Sequence, residues 1–330
     1  MSLGFLIKLK ILWAINDIQK IYYPTLAAID VPVNAVTIVI LSRGKCGLST
    51  CVTRYLVAMA AADLMVIIFD LILRQIPIVY RDEFIFVWNI RVCNIHAVLL
   101  YAATDCSVWF TVTFTFDRFV AICCQKLKTK YCTEKTAAVV LGTVTVLSCL
   151  KNIFWYFLYS RTYWLSNSPW FCTVTYDAFR SLAWASVEFM HYVITPFIPF
   201  LLILLFNALT VRHILVANRA RRKLRNRSSG ESPSDPEMAN RRKSMIVLFV
   251  ISGNFMLLWV VFTVCSILKR FDYLGYPVSL PTFVPEIGFM LQLLSCCTNT
   301  FIYAVTQRKF REELSNGVIY PLVMIVKLIR

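Results

Sequence analysis

Seven long apolar stretches constrain this chain more than any other feature of its sequence. They cover residues 21–42, 55–79, 90–123, 136–158, 187–216, 244–268 and 283–305. Each reaches the roughly 20 residues that an α-helix needs to cross a bilayer. The chain is 58% hydrophobic and 16% charged, with a mean hydropathy of +0.66, which is too apolar for a soluble domain. The sequence therefore predicts an all-α membrane protein, a bundle of seven transmembrane helices.

The positive charge of the chain predicts how this bundle is oriented. The net charge is +16, and most Lys and Arg residues fall in the connections after the first, third and fifth stretches and in the C-terminal tail. Because short basic loops stay in the cytosol, we expect an extracellular N-terminus and a cytoplasmic C-terminus. The basic run 219–227 has two interpretations, a nucleic-acid patch or a solvated surface near anionic lipid. Its place between two spans favours lipid, so we expect no nucleic-acid partner.

The remaining segments flank or interrupt the seven stretches. Residues 1–20 form an expected extracellular N-terminal segment, which carries Lys8 and Lys10 and lacks a cleavage site. Residues 21–305 form the seven-helix domain, and residues 306–330 form a cytoplasmic C-terminal segment. Within the domain, the connection 217–243 is rich in Ser, Pro, Glu and Arg, which predicts a disordered cytoplasmic loop.

The stretch from Phe114 to Ile122, FTFDRFVAI, places Asp117 beside Arg118 at the end of the third apolar run. Arg118 follows Cys93 by 25 residues. A helix of that length spans about 37 Å, so these two residues lie at opposite faces of the membrane. A charged pair retained at such a place indicates a functional site, and the alternative is an interfacial ion pair that caps a helix.

Two cysteines are expected on the extracellular side, among twelve in the chain. Most of the others lie inside apolar runs or on the expected cytosolic side. Cys93 and Cys172 would both face an oxidising compartment, and this predicts a disulfide between them. That bond would tie the aromatic loop around Cys172 across the outer mouth of the bundle.

A carboxylate lies deep in the second apolar stretch, at Asp63. A group of this kind must be protonated, paired with a cation or hydrated. Ser107, Ser295 and Asn299 supply hydroxyl and amide oxygens at similar depth in other stretches. Two interpretations remain open: a site for a small cation such as Na⁺ with water, or a structural hydrogen-bond hub. For Asn34, at the same depth, we prefer a hydrogen bond between helices.

The outer halves of the stretches mix aromatic residues with a few charges, the composition of a ligand cavity. For each aromatic residue alone, packing is the simpler interpretation. Asp70 and Arg74 are four residues apart, so they share a helix face and can pair with each other. The candidates are Asp70, Arg74, Tyr101, Thr104, Asp105, Glu188, His191, Trp259, Phe262, Glu286, Phe289 and Gln292.

An ordered set of motifs resembles the rhodopsin-like (class A) G-protein-coupled receptors over about residues 21 to 315. The set comprises Asn34, Asp63 in MAAADL, Cys93, DRF at 117–119, Cys172, Pro199, Trp259, NTFIY at 299–303 and Arg308-Lys309-Phe310. The stretches PVNAVTIVILS and YLVAMAAADL, with LW at 258–259, further resemble the orphan branch that includes probable G-protein coupled receptor 139. The resemblance implies a multi-pass receptor of the plasma membrane whose partners are an extracellular small-molecule or peptide ligand and a heterotrimeric G protein.

The resemblance also implies roles for individual residues. Arg118 would contact the G protein and Asp117 would hold it at rest, while Asn299 and Tyr303 would take part in activation. Trp259 would be the aromatic switch beneath the ligand, with Phe255 one turn below it. Another implied feature is a sodium pocket formed by Asp63, Ser107 and Asn299. Residues 308–314 would form a short amphipathic eighth helix on the cytoplasmic side.

Several positions depart from the pattern of this family. Phe119 replaces the usual tyrosine of the DRY motif, and Asn207 replaces the tyrosine that usually follows Pro199 by eight residues. Val261 replaces the usual proline of helix six, and Thr300 replaces the proline of the NPxxY motif. The inner end of the sixth stretch carries Arg241 instead of an acid. Leu100 replaces the aspartate of amine receptors, which argues against a biogenic amine. We expect a small zwitterionic or peptide-like ligand, with its carboxylate at Arg74 and its amine at Glu188 or Glu286.

Two other functional classes were considered. A small transporter or channel would use Asp63 as its ion site, but transporters often have repeated halves and broken helices, and the sequence contains no such repeat. An intramembrane enzyme would need a catalytic motif, and neither HExxH nor GxSxG is present, while His96, His191 and His213 are scattered. We therefore expect a receptor without catalytic activity and without a cofactor, apart from Na⁺ as an allosteric ion.

Overall fold

The computed structural model describes residues 3–166, 171–175, 182–225, 236–273, 280–281 and 283–316. Within the described residues, seven helices are long and apolar enough to cross a membrane. This confirms the predicted seven-helix bundle. We call the end of the bundle near Cys93 the disulfide side and the end near Arg118 the DRF side. The predicted tail beyond residue 316 and the middle of the predicted loop, 226–235, lie outside the described residues.

The seven spanning helices, α1 to α7, follow one another along the chain. α1 is Leu3–Ser42, α2 is Thr50–Val66 continued by Ile67–Gln75 and Ile76–Val79, and α3 is Cys93–Cys123. α4 is Glu134–Asn152 continued by Phe154–Leu158, and α5 is Leu182–Tyr192 continued by Val193–Phe197 and Ile198–Arg225. α6 is Pro236–Tyr273 and α7 is Phe283–Thr306. Short helices Ile85–Asn89 and Gln125–Tyr131 lie in the connections before and after α3.

Two helix starts on the DRF side follow from capping residues. The Ser49 hydroxyl accepts a bond of 3.4 Å from the Val52 N–H, and the Thr133 hydroxyl accepts one of 3.2 Å from the Thr136 N–H. Each bond satisfies an amide that the first helical turn leaves without a partner. α2 and α4 therefore begin where the sequence supplies a hydroxyl.

α3 is the central helix of the bundle. In the most apolar 18-residue section of α3, 72% of the residues are buried, whereas the corresponding fraction for α4 is 17%. Packing of α2, α3, α6 and α7 on the DRF side forms a core that includes Tyr55, Phe110, Phe114, Ile251 and Tyr303. Polar side chains of α3 therefore face other helices and not lipid.

α1, α5 and α6 extend furthest beyond their predicted stretches. α1 begins at Leu3 and crosses the predicted boundary at residue 20 without a break, because no Gly or Pro lies between Gly4 and Pro24. α5 continues to Arg225 and α6 begins at Pro236, so the connection is shorter than the predicted loop 217–243. The Arg, Lys, Ala and Leu residues of that segment are strong helix formers, which explains the extension.

α2 and α5 each contain a wider, π-helical segment. In α2 it covers Ile67–Gln75 and holds Asp70 and Arg74. In α5 it covers Val193–Phe197, where Thr195, before Pro196, has the extended dihedral angles φ −144° and ψ 113°. The residue before a proline avoids the α-helical region, so this interruption is local to the Thr195–Pro196 step.

A two-stranded antiparallel hairpin covers part of the disulfide side. Its strands are β1, Tyr159–Tyr163, and β2, Cys172–Val174. The disulfide between Cys93 and Cys172 joins β2 to the first residue of α3, which confirms the predicted pairing. The sequence predicted the bond but not the hairpin.

The last described helix, α8, is Arg308–Leu314 and confirms the expected eighth helix. Phe310 is buried against Tyr303 of α7, with the two ring centres 6.0 Å apart. The Arg311 guanidinium donates to the Ala304 carbonyl at 3.0 Å and to the Val305 carbonyl at 2.8 Å. A basic residue thus satisfies two carbonyls that the end of α7 leaves without partners.

Candidate functional site

On the DRF side, Asp117 and Arg118 form a buried ion pair at the end of α3. The Arg118 Nε atom donates to the Asp117 Oδ2 atom at 3.0 Å, and its Nη2 atom donates to the same oxygen. The Cys51 thiol on α2 donates to the Asp117 Oδ1 atom at 3.3 Å. Asp117 is therefore held by α2 as well as by its neighbour, and Cys51 was not among the predicted site residues.

A second thiol reaches this pair from the connection between α3 and α4. Cys132 Sγ donates to the Asp117 backbone oxygen at 3.5 Å. Burial and, to a smaller extent, the Asp117 carboxylate raise the pKa of the Cys132 thiol to about 12. Cys132 is therefore a neutral S–H donor at physiological pH.

Phe119 contacts α5. Its ring stacks on Phe206 with the ring centres 5.8 Å apart, and Phe116 approaches the same ring at 5.2 Å. Phe116 also meets Tyr131 edge-on at 5.3 Å. A phenyl group in this position packs without needing a hydrogen-bond partner, which a buried tyrosine hydroxyl would require.

α6 is attached to both neighbouring helices by side-chain hydrogen bonds. Asn207 of α5 donates to the Ser252 hydroxyl at 2.8 Å. Asn254 donates to the Thr298 hydroxyl of α7 at 2.7 Å, and the Trp259 indole N–H donates to the Ser295 hydroxyl of α7 at 2.9 Å. These bonds fix the rotation of α6 about its axis.

The two expected switch residues lie in contact with each other on α6. Phe255 stacks on Trp259 with ring centres 5.1 Å apart, and Trp259 is only 2% exposed. Close packing continues towards the disulfide side, where a Cβ atom at Gly288 of α7 would lie 3.1 Å from the Phe262 backbone. A larger residue than glycine at 288 would push α6 and α7 apart.

The three residues of the expected sodium pocket come together. The Asp63 Oδ1 atom accepts from the Ser107 hydroxyl at 2.6 Å, and its Oδ2 atom accepts from the Asn299 amide at 2.8 Å. The carboxylate and hydroxyl oxygens suit a hard cation such as Na⁺. Two neutral donors already satisfy the carboxylate, however, so the arrangement fits the structural hub equally well. A cation would bind Asn299 through its amide oxygen, and that requires a turn of the side chain.

A second carboxylate, Asp30 of α1, was missed by the sequence analysis. It is fully buried, and the weakly donating thiol of Cys297 is a polar neighbour of its carboxylate. The signal was present, because Asp30 is the one charged residue of the stretch 21–42. Asn34, one turn further, donates to the Cys296 carbonyl at 3.4 Å, the bond between helices that we preferred.

The other contacts of α7 in this region involve Thr300 and Tyr303. The hydroxyls of Thr37 on α1 and Thr300 are 2.8 Å apart, so Thr300, in the place of the NPxxY proline, bonds to α1. Tyr303 is buried, and its hydroxyl has no hydrogen-bond partner among the described residues. Its ring packs against α8.

On the disulfide side, Asp70 and Arg74 pair as expected, with 3.2 Å between Oδ1 and Nη1. The Arg74 guanidinium also lies between two rings, 5.3 Å from the centre of Phe171 and 5.0 Å from that of Phe289. Both charges are buried, so the cation is stabilised by a carboxylate and by two aromatic faces.

An aromatic cluster surrounds the expected ligand residues of α3 and α5. Tyr101 stacks on Trp155 at 4.2 Å, and Trp155 stacks on Tyr159 at 5.2 Å. His191 meets Tyr101 edge-on at 5.2 Å and Trp155 at 5.1 Å. Trp155, which joins α4 to this cluster, was not among the predicted site residues.

The remaining ligand candidates are more scattered. Thr104 bonds within α3, to the Leu100 carbonyl at 2.9 Å. Glu286 accepts from Gln19 of α1 at 3.0 Å, whereas Glu188 is partly buried on α5. Phe262 lies between Trp259, at 5.6 Å, and Phe289, at 5.3 Å. Direct contacts among the candidates thus include one group around Arg74, with Asp70 and Phe289, and a second group around Tyr101, with His191.

A buried ion pair under the second group was also missed. Lys151 of α4 lies 2.6 Å from the Asp105 Oδ2 atom of α3 and donates to the Thr195 hydroxyl of α5 at 3.1 Å. Asn152 donates to the same Asp105 oxygen at 2.6 Å. Asp105 was noted only as a member of the cavity list, and Lys151 is the one charge of the stretch 136–158.

Comparison with known proteins adds two findings. Residues 33–303 match the family model described as 7 transmembrane receptor (rhodopsin family). A curated relative, C5a anaphylatoxin chemotactic receptor 1 from Oncorhynchus mykiss, is 23% identical over 227 residues, which is 68% of this chain and 60% of that protein. The chain thus matches less than two thirds of the length of this relative.

Proposed function

The chain belongs to the rhodopsin family of seven-transmembrane receptors, and from this premise we propose that it binds an extracellular ligand and activates a heterotrimeric G protein at the DRF side. Family membership disfavours the transporter or channel alternative. The observation that carries the proposal is the buried pair of Asp117 and Arg118 at the end of the central helix. An arginine held by a neighbouring carboxylate at rest is available to a partner once the helices around it separate.

The orientation is part of the proposal. We assign the DRF side to the cytoplasm, where the basic side chains at and after the ends of α1 and α3 and in α8 would lie. Support comes from Arg43, Lys126, Lys128, Arg308 and Arg311, all exposed at that end, and from the disulfide at the other end. The receptor would then lie in the plasma membrane with its N-terminus outside.

For the ligand, we propose a small zwitterionic or peptide-like molecule that contacts the group around Arg74. A guanidinium has five N–H donors in a planar fork, so Arg74 can hold Asp70 and a ligand carboxylate together. Glu188 or Glu286 would take the ligand amine, and Glu286 would then exchange its bond with Gln19 for one with the ligand. The relative is named as a receptor for C5a anaphylatoxin, and at 23% identity we take only the receptor class from it.

Two finer assignments accompany this proposal. We place the chain beside the orphan branch that includes probable G-protein coupled receptor 139, on the stretches PVNAVTIVILS and YLVAMAAADL. We also propose that Asp63, Ser107 and Asn299 hold Na⁺ as an allosteric ion in the resting receptor. Ser107 and Asn299 each contact the Asp63 carboxylate, which supports a shared ion at that carboxylate.

The test is direct. Membranes that contain the receptor are mixed with purified G proteins of several Gα classes, and nucleotide exchange is measured with and without a library of amino acids and short peptides. We expect at least one Gα class to respond, and we expect the Arg118→Ala variant to lose that response. Ion current through the same membranes without any G-protein response would support the transporter or channel and contradict the proposal.

A further inference from the structure

Two departures from the family pattern are next to each other in space on the DRF side. Phe119 stacks on Phe206 of α5, and the following residue of α5, Asn207, donates to Ser252 of α6. Both members of the hydrogen bond are buried, with 7% exposure for Asn207 and none for Ser252. The two residues that replace the usual tyrosines therefore belong to one connected set of contacts from α3 to α6.

Helix geometry explains how α5 reaches both neighbours. Consecutive residues of an α-helix point about 100° apart, so Phe206 faces α3 while Asn207 faces α6. The Ser252 hydroxyl donates its own hydrogen to the Leu248 carbonyl at 2.6 Å. Its oxygen is then free to accept from the Asn207 amide, and the direction of the bond is determined.

From these contacts we propose that the bond between Asn207 and Ser252 holds α6 against α5 at rest. The proposal rests on the proposed receptor function, in which the helices around Arg118 separate when a G protein binds. Arg241, at the DRF end of α6, offers no carboxylate to Arg118. The restraint on α6 lies instead about three turns away, at Ser252, and Asn207 and Ser252 are positioning residues for signalling.

When this bond breaks, Asn207 is the residue that loses a hydrogen-bond partner for its amide. Ser252 keeps its bond to the Leu248 carbonyl when α6 moves. The Asn207 amide loses its bond, and its buried Oδ1 atom already has no partner among the described residues. Side-chain hydrogen bonds between membrane helices change a two-state ratio about threefold on average, and about 18-fold at most. We therefore expect removal of the bond to raise the open fraction by about threefold or more.

The connection also passes from α6 towards the ligand. Ser252 lies three residues before Phe255, which stacks on Trp259. A rotation of α6 that moves Trp259 thus also moves Ser252 relative to Asn207. The bond is placed where a movement at the aromatic switch would break it.

The experiment compares four variants of the full chain in nanodiscs with the parent receptor. Ser252→Ala and Asn207→Leu each remove the bond, and the double variant tests whether they act through each other. Thr263→Ala is the matched control, because the buried Thr263 hydroxyl on the same helix bonds, among the described residues, to the Trp259 carbonyl within α6. Spin labels on non-natural amino acids at Leu127 and Ile246, both exposed on the DRF side, report the distance from α6 to the connection after α3.

We expect each single variant to increase the population with a long distance between the labels by about threefold or more. The double variant should add nothing further, and Thr263→Ala should match the parent. Distances that stay at the parental distribution in both single variants, or effects that simply add in the double variant, would overturn the proposal.

Basal nucleotide exchange, measured on the same samples, separates this proposal from the proposed function. A longer distance together with faster exchange supports both. A longer distance without exchange on any G protein supports the restraint and contradicts the coupling. An unchanged distance with a parental exchange that responds to ligand supports the coupling and contradicts the restraint.

Discussion

The ammonium group of Lys151 on α4 lies 2.6 Å from the carboxylate of Asp105 on α3, inside the bundle. The carboxylate is 1% exposed and the lysine side chain 24% exposed. Each residue is the single charge of its helix segment at that depth. Placing either charge alone in the membrane interior costs free energy, and the ion pair offsets that cost. This relationship makes a stability prediction that does not depend on any ligand.

Lys151→Met should strongly lower the amount of folded receptor. The change leaves Asp105 charged and unpaired in a buried site, which costs about 3–5 kcal/mol. The double variant Lys151→Met with Asp105→Asn should recover most of the loss, because the remaining amide can still bond to Asn152. Thermal unfolding of detergent-solubilised receptor measures both effects. A double variant no more stable than Lys151→Met alone would contradict this explanation.

Cys93→Ala should reduce surface expression and lower the unfolding temperature. The disulfide closes a loop with a sequence separation of 79 residues. In the chain-entropy model that closure removes about 4 kcal/mol of freedom from the unfolded state. Cys149→Ala, at an exposed free cysteine, is the control and should behave as the parent. Peptide mapping that finds Cys93 and Cys172 as free thiols would refute the bond itself.

Much of the site could be predicted from the sequence, because the position of a residue along an apolar helix indicates its depth in the membrane. Asp63, Ser107 and Asn299 were expected to meet, and they do, since each is a polar residue at the same depth. The rotation of one helix against another is not readable in this way. The sequence contained Asp105 and Lys151, but only the packing of α3 on α4 shows that they face each other.

The contacts of Cys51 with Asp117 and of Phe119 with Phe206 were also not predictable, for the same reason. Apolar and weakly polar side chains carry no signal that distinguishes a contact from simple packing. The hairpin of β1 and β2 was missed because its strands are short and lie in a loop that the apolar pattern does not describe. Sequence therefore predicted the helices and the depth of the polar residues, whereas pairing between helices required the fold.

Na⁺ should lower basal nucleotide exchange through Asp63. If the ion occupies the Asp63 site only at rest, it shifts the population away from the signalling state. Exchange is compared in sodium chloride and in choline chloride of equal ionic strength, and agonist affinity is measured in both salts once an agonist is known. Both responses should vanish in Asp63→Asn. An equal response to Na⁺ in the variant would place the ion elsewhere.

Arg74→Gln should reduce the potency of a zwitterionic ligand. Loss of one charge-assisted hydrogen bond costs about 1.5–3 kcal/mol, which corresponds to a decrease of about 10- to 150-fold. Because the change also leaves Asp70 without its cation, Arg74→Gln is combined with Asp70→Asn in a second variant. Potency of the ligand and of its methyl ester is measured on both. A ligand whose potency is the same on the parent and on both variants would show that Arg74 is not its anchor.

We propose that Arg118 carries the signal to a G protein and that its restraint at rest is weak. Asp117 is the neighbouring acid on α3, and Arg241 on α6 offers none. An added ion pair of this kind contributes about 1 kcal/mol, which changes a two-state ratio about fivefold. The parent receptor should therefore signal without ligand, and Arg241→Glu should reduce that signal by several-fold.

The most direct measurement is basal nucleotide exchange on added G proteins, in membranes matched for receptor number. We expect exchange above that of receptor-free membranes for the parent, lower exchange for Arg241→Glu, and none above background for Arg118→Ala. Exchange in the parent no higher than in receptor-free membranes would contradict the weak restraint. Exchange that persists at the parental rate in Arg118→Ala would contradict the role of Arg118 itself.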